Sequence, residues 1–397
     1  MRVKKIISSF LMTLLFMGTL TLTACGSSGT EASRKDAEDI LVKAEQTDVP
    51  IQWEELVCEG SMELSYATQF TVDYYGIYQL ITIADTDRFL LIPEGKEAPE
   101  NIPEDIVVLQ QPIRNAYVAS SSVMDFFISL DSVPAARLSG TKENAWYLEE
   151  AREAMRRGEL LYAGKYSTPD YELIISEGCE LAIENTMIYH TPEVKEQLEK
   201  LGVPVLVEHS SLESHPLGRL EWMKLYGVLL GKESRAVEEF DRQLAGVKPL
   251  LEQENTGRTV AFFYITGNGA VNVRKTQDYV AKMIELAGGS YVFSHLDEEE
   301  ENALATMNIQ MEEFYAAAKD ADYLIYNTTV DVGLDSLEEL LDKSDLFQDF
   351  RAVREGHVYS TGRNFFQETT GVGQFVQELH SILMDEAEET YYLQRLE

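Results

Sequence analysis

From Ile113 onward the sequence alternates short apolar runs with amphipathic ones, and that alternation leaves few folds open. "CELAIEN", "VPVLVEH", "TVAFFYIT", "ADYLIYN" and "GHVYSTG" read as strands. Between them "PDYELIISEG", "TPEVKEQLEKLG", "TQDYVAKMIELAGG", "MEEFYAAAKD" and "SLEELLDK" carry apolar residues at helical spacing. Continuous apolar strands are buried on both faces, and parallel neighbours need a crossover helix between them. The class is therefore α/β, with mainly parallel, Rossmann-like sheets. Residues 232–255 place apolar side chains at 237, 240, 244, 247 and 251, the stripe of one long helix. Alternating elements flank it on both sides. The expected plan is an N-terminal lobe over 49–231, an interlobe helix over 232–255 and a C-terminal lobe over 256–397, with a cleft between the lobes. "GVGQFVQELHSILMDEAEETYYL" reads as a long closing helix. Residues 62–110 stand apart: aromatic, β-branched and broken by turn residues, they read as β structure.

The first residues give the address. "MRVKK" is a basic start, "IISSFLMTLLFMGTLTL" an apolar run, and "LTAC" ends at Cys25. That order is a secretory signal, 1–24. Leu22, Thr23, Ala24 and Cys25 resemble the lipobox of bacterial lipoproteins, which implies cleavage before Cys25 and lipidation of it. The small polar stretch that follows makes 25–48 a tether. The expected protein is exported and held at the outer face of the cell membrane by its lipid alone. Acids outnumber bases 68 to 33, for a net charge of −35. Such a body lacks the positive face that nucleic acid requires.

No Walker loop, H-E-x-x-H or G-x-S-x-G occurs. In open α/β sheets ligands bind beyond the carboxyl ends of strands. That rule selects Ser121 and Ser122, Tyr189 and His190, His215 and Arg219, Tyr264 and Asn268, Arg274, and Arg363. The arginines suit an anionic chelate through charge-assisted hydrogen bonds, or serve local salt bridges. The tyrosines suit stacking, or core packing. His215 and Arg219 lie within "ESHPLGRLEW" (213–222), where Ser214 and Pro216 read as the cap and first turn of a helix. No histidine has partners at metal-ligand spacing, so a metal would arrive already chelated.

The lipobox, "PEVKEQLEKLGVPVLVEHSSLE", "YGVLLGKESRAVEEF" and "IELAGGSYVFSHL" together resemble the solute-binding lipoproteins of ABC importers for iron–siderophores, cobalamin and haem. The resemblance covers roughly residues 111–397. It implies two lobes joined by one rigid helix, no catalysis, no resident cofactor, and a ferric chelate, corrinoid or haem as cargo. It implies an ABC permease and its ATPase as partners. One glutamate from each lobe docks on the permease in that family; the matching positions are Glu172 and Glu313, which sit alike in "DYELIISEGCELAIEN" and "MEEFYAAAKDADYLIYN". Other classes remain open beside it: an anchored hydrolase using "ESHPLGRLEW", or a receptor using residues 62–110.

Overall fold

The structure is a computed structural model that describes residues 51–295, 306–331, 334–387 and 389–397. The signal segment 1–24, Cys25 and the tether 25–48 lie outside the described residues.

Residues 60–110 form a five-stranded sheet in chain order: β1 (Gly60–Ser61), β2 (Phe70–Tyr75), β3 (Tyr78–Ile83), β4 (Asp87–Ile92) and β5 (Ile106–Gln110). It is antiparallel except for the β4–β5 pair. Side chains alternate between faces along each strand. One face, with Phe70, Val72, Ile81, Phe89 and Leu91, joins the core of the N-terminal lobe. The other, with Tyr78, Leu80, Leu90 and Ile92, is packed against Ile51, Trp53, Leu56 and Ile102. Both faces are covered, which explains why the strands are so apolar.

The second sheet of this lobe is wholly parallel. It contains β6 (Ala116–Val118), β7 (Leu138–Ser139), β8 (Leu161–Tyr162), β11 (Leu181–Asn185) and β12 (Val205–Glu208), in the order β12-β11-β6-β7-β8. A small hairpin, β9 (Gly164–Lys165) and β10 (Thr168–Pro169), leaves its edge. The crossovers carry α1 (Met124–Ser129), α2 (Glu149–Arg156), α3 (Tyr171–Ser176) and α4 (Pro192–Lys200). The Asp170 side chain caps α3 by accepting the Leu173 N–H at 3.0 Å.

Two helices follow, α5 (Pro216–Leu229) and α6 (Glu233–Leu251). All fourteen residues of α5 are buried, charged ones included. Its cap is not the expected Ser214. His215 takes that place, its Nδ1 accepting the Leu217 N–H at 3.1 Å. Pro216 opens the first turn as the sequence suggests.

The C-terminal sheet contains β13 (Thr259–Ile265), β14 (Val271–Arg274), β15 (Ser290–Tyr291), β16 (Thr306–Ile309), β17 (Tyr323–Tyr326), β18 (Val358–Thr361) and β19 (Leu393–Arg395). Its order is β16-β14-β13-β17-β18-β19, with β15 beside the start of β13. β13, β17 and β18 are parallel; β14 pairs antiparallel with β13, β16 antiparallel with β14, and β19 antiparallel with β18. The helices are α7 (Tyr279–Leu286), α8 (Met311–Ala318), α9 (Leu337–Lys343), α10 (Arg351–Glu355) and α11 (Val372–Leu383). The closing helix is shorter than its sequence suggests. It stops at Leu383, Asp385 turns the backbone to φ +59°, and the chain returns as β19 to bury Tyr392, Leu393 and Leu396. Among the described residues no helix is long and apolar enough to cross a membrane.

Candidate ligand-binding site between the lobes

Because β6, β7, β8, β11 and β12 are parallel, the loops after them share one edge of the sheet. The loops after β13, β17 and β18 share the corresponding edge of the second sheet. Large apolar side chains are left exposed on these loops: Tyr147 after β7, Tyr162 ending β8, Met187 and Tyr189 after β11, Leu212 after β12, and Val330 after β17. Other large apolar side chains, such as Val57, Val108, Ile175 and Leu201, are exposed elsewhere in the molecule; these six share the strand ends where ligands bind in open α/β sheets.

The expected residues separate into distinct settings. Tyr189 and His190 are exposed, and the Tyr189 hydroxyl lies 2.8 Å from His209 Nε2. His209 is itself buried, and its Nδ1 has no hydrogen-bond partner. Burial lowers the pKa of its imidazole, with Asp87 on β4 acting against that. The ring holds the Tyr189 phenol in place through this hydrogen bond. His215 is half-buried, its ring stacked on Tyr66 with centroids 4.7 Å apart at 30°. Burial lowers its pKa as well, helped by Lys282 from α7 of the opposite lobe.

Arg219 and Arg274 are engaged with the protein itself. Arg219 is buried, with its guanidinium 4.4 Å above the Tyr279 ring of the other lobe. The space around it measures only about 10 Å³. Arg274 does not stand at the carboxyl edge as expected. It ends β14, which runs back along β13, and it pairs with Asp278 at 3.5 Å beneath Phe366. Burial raises the pKa of Asp278 and Glu208, and arginines oppose this in both: Arg274 and Arg219 at Asp278, Arg219 at Glu208. Among these groups Arg274 and Asp278 form the direct ion pair, and Arg219 favours the charged forms of Glu208 and Asp278.

Ser121 and Ser122 are half-buried after β6, and the Ser122 carbonyl accepts the Thr369 hydroxyl at 2.9 Å. Next to this bridge the Thr370 N–H donates to Asp125 at 2.6 Å, and Gln367 bonds the backbone of both Ala145 and Tyr147. The segment after β18 therefore seams the lobes together. On the α6 side of the seam lies a groove of about 740 Å³ lined by Asp125, Glu150, Gln243, Gln374 and Tyr391. Tyr264 is half-buried against the C-terminal core. Asn268 shapes the β13–β14 turn, accepting the Thr266 hydroxyl at 2.5 Å. Arg363 is exposed after β18 and forms no ion pair among the described residues. Glu172 and Glu313 are both exposed in the first turns of their helices, α3 and α8. No group of three His, Cys, Asp or Glu side chains placed to hold a metal occurs among the described residues, and Cys58 and Cys179 are both free thiols.

Residues 118–364 match the periplasmic binding protein family, more than half of the chain. The chain belongs to that family. An uncharacterized lipoprotein of Methanocaldococcus jannaschii is 24% identical over 323 residues, which cover 78% of this chain and 75% of the relative. A periplasmic binding protein from Veillonella parvula superposes with a TM-score of 0.59 at 16% identity, over 79% of this chain and 99% of that one. A protein described as an ABC-type Fe3+-hydroxamate transport system from Saccharomonospora viridis gives 0.53 at 18%, over 68% and 93%. A periplasmic binding protein is a transport component without catalysis, which removes the hydrolase reading of "ESHPLGRLEW". The matched segment begins at Val118 in β6, after the first sheet.

His209, Asp87 and Tyr66 escaped the sequence reading. His209 ends the quoted strand "VPVLVEH", but nothing in the sequence points it at a tyrosine twenty residues earlier. Asp87 and Tyr66 belong to a sheet whose location no local pattern encodes.

Proposed function

We propose that this periplasmic binding protein is the outer-face lipoprotein of an ABC importer, anchored through Cys25, and that it captures an iron–siderophore or a related metal chelate between its lobes. The observation that carries the reading is the set of exposed apolar side chains on the carboxyl-edge loops, Tyr147, Tyr162, Met187, Tyr189, Leu212 and Val330. A chelate wraps its metal in an organic shell, and an apolar, aromatic surface with a few polar groups suits such a shell. Tyr189, His190 and His215 supply contacts from one lobe, with Ser121 and Ser122 at the seam. Arg363 supplies an unpaired cation from the other, with Tyr264 and Asn268 on the adjoining strand and turn. Arg219 and Arg274 act behind them, holding the lobes in register. The likeness to the Saccharomonospora viridis protein supports a ferric hydroxamate as the first cargo to try; haem and cobalamin suit the same surface. Glu172 and Glu313 are the docking contacts for the permease, and fixed carboxylates of this kind set orientation on a basic partner.

The test begins with the absorbance spectrum of protein purified from its own cells, where a ferric-chelate, haem or corrinoid band identifies the cargo. Protein stripped of cargo is then heated with ferric siderophores, haem and cobalamin. A ligand at 100 times its Kd stabilises the fold by about 2.7 kcal/mol, a readily measured rise in Tm. Failure of all three classes to raise the Tm would sink the proposed cargo.

A further inference from the structure

We infer that the first sheet, residues 60–110, is one wall of the ligand-binding site, and that Tyr66, in the segment between β1 and β2, determines specificity. This rests on the solute-binding reading above.

The sheet reaches the carboxyl edge through the segment between β1 and β2. It crosses the opening turns of α5, where two buried carboxylates gather its backbone. Glu221 accepts the N–H groups of Ser65, Tyr66 and Ala67 at 2.8–3.0 Å. Glu213 accepts those of Thr68 and Gln69 at 2.9 and 3.0 Å. Gly218 leaves the room this requires: a Cβ there would stand 2.8 Å from the Tyr66 carbonyl oxygen. A clamp of five backbone bonds fixes the Tyr66 ring on His215. The sheet therefore borders the loop after β12, which carries His215.

Tyr66 on His215 offers a stacked aromatic surface to a flat or apolar part of the cargo.

The experiment uses the full-length protein in detergent and four probes. A ferric trihydroxamate and cyanocobalamin are the non-anionic pair; a ferric tris-catecholate and haem are the anionic pair. Affinities are measured by fluorescence quenching. For the tightest-binding probe, Tyr66→Ala is expected to weaken binding by about fivefold or more while Tyr66→Phe, which keeps the ring, restores it. Wild-type affinity in Tyr66→Ala overturns the wall while leaving the solute-binding reading in place. Absence of binding by any probe to the wild-type protein overturns both.

Discussion

Glu184 is fully buried on β11, and neither of its carboxylate oxygens has a hydrogen-bond partner. Burial raises its pKa from 4.5 to about 8. The folded protein thus holds this proton more tightly than the unfolded chain does. Its contribution to stability is complete below about pH 4.5 and is lost as pH rises toward about 8. Glu184→Gln removes that loss. Its Tm should fall less steeply than wild type across this interval, and parallel profiles would show that the proton plays no part. Arg219 presents the opposite case, a buried permanent cation that favours the charged forms of Glu208 and Asp278. Arg219→Ala leaves Asp278 its Arg274 partner but takes from Glu208 the cation that favours its charge, and should cost about 3–5 kcal/mol in urea denaturation. A loss below about 1 kcal/mol would place Arg219 among ordinary surface ion pairs.

The pair α5 and α6 is held by a close crossing at Gly227, where an added Cβ would collide with Ala236. Gly227→Ala forces the helices apart and should destabilise the protein by about 1–3 kcal/mol, read as a lower urea midpoint. An unchanged midpoint would mean the crossing is looser than it stands. The elements most legible in the sequence are those that repeat a local period over several residues. β11, β12, β13 and β17 are continuous apolar runs, and α6 shows five apolar positions on one stripe. β14, β16 and β19 are not legible, because four-residue and three-residue edge strands such as "TMNI" carry too short a pattern. The end of α11 is hidden for another reason. "DEAEETYYL" continues to favour a helix locally, whereas in the fold Asp385 takes φ +59° and Tyr392 and Leu393 are buried in the C-terminal core. At the site, strand-end reasoning finds Tyr189, His215 and Arg363, whereas the burial of Arg219 and the Tyr189–His209 pair depend on which helix faces which lobe.

Two lobes seamed at Ser122, Asp125, Ala145 and Tyr147 give the molecule a fixed outer surface on which Glu172 and Glu313 keep a set spacing. Charge reversal of both, Glu172→Arg with Glu313→Arg, should abolish cargo uptake by cells while cargo affinity of the purified protein stays at the wild-type value. Uptake at the wild-type rate would remove these residues from docking. The clamp on α5 has one further consequence. Its donors, residues 65–69, and its acceptors, Glu213 and Glu221, are 144 to 156 residues apart in the chain. At roughly 5–20 residues per second, the ribosome makes the donors many seconds before the acceptors exist. The first sheet to be synthesised must wait, with the face destined for α5 uncovered, until most of the N-terminal lobe has followed it. Early truncation products of this chain are therefore natural clients for a holding chaperone.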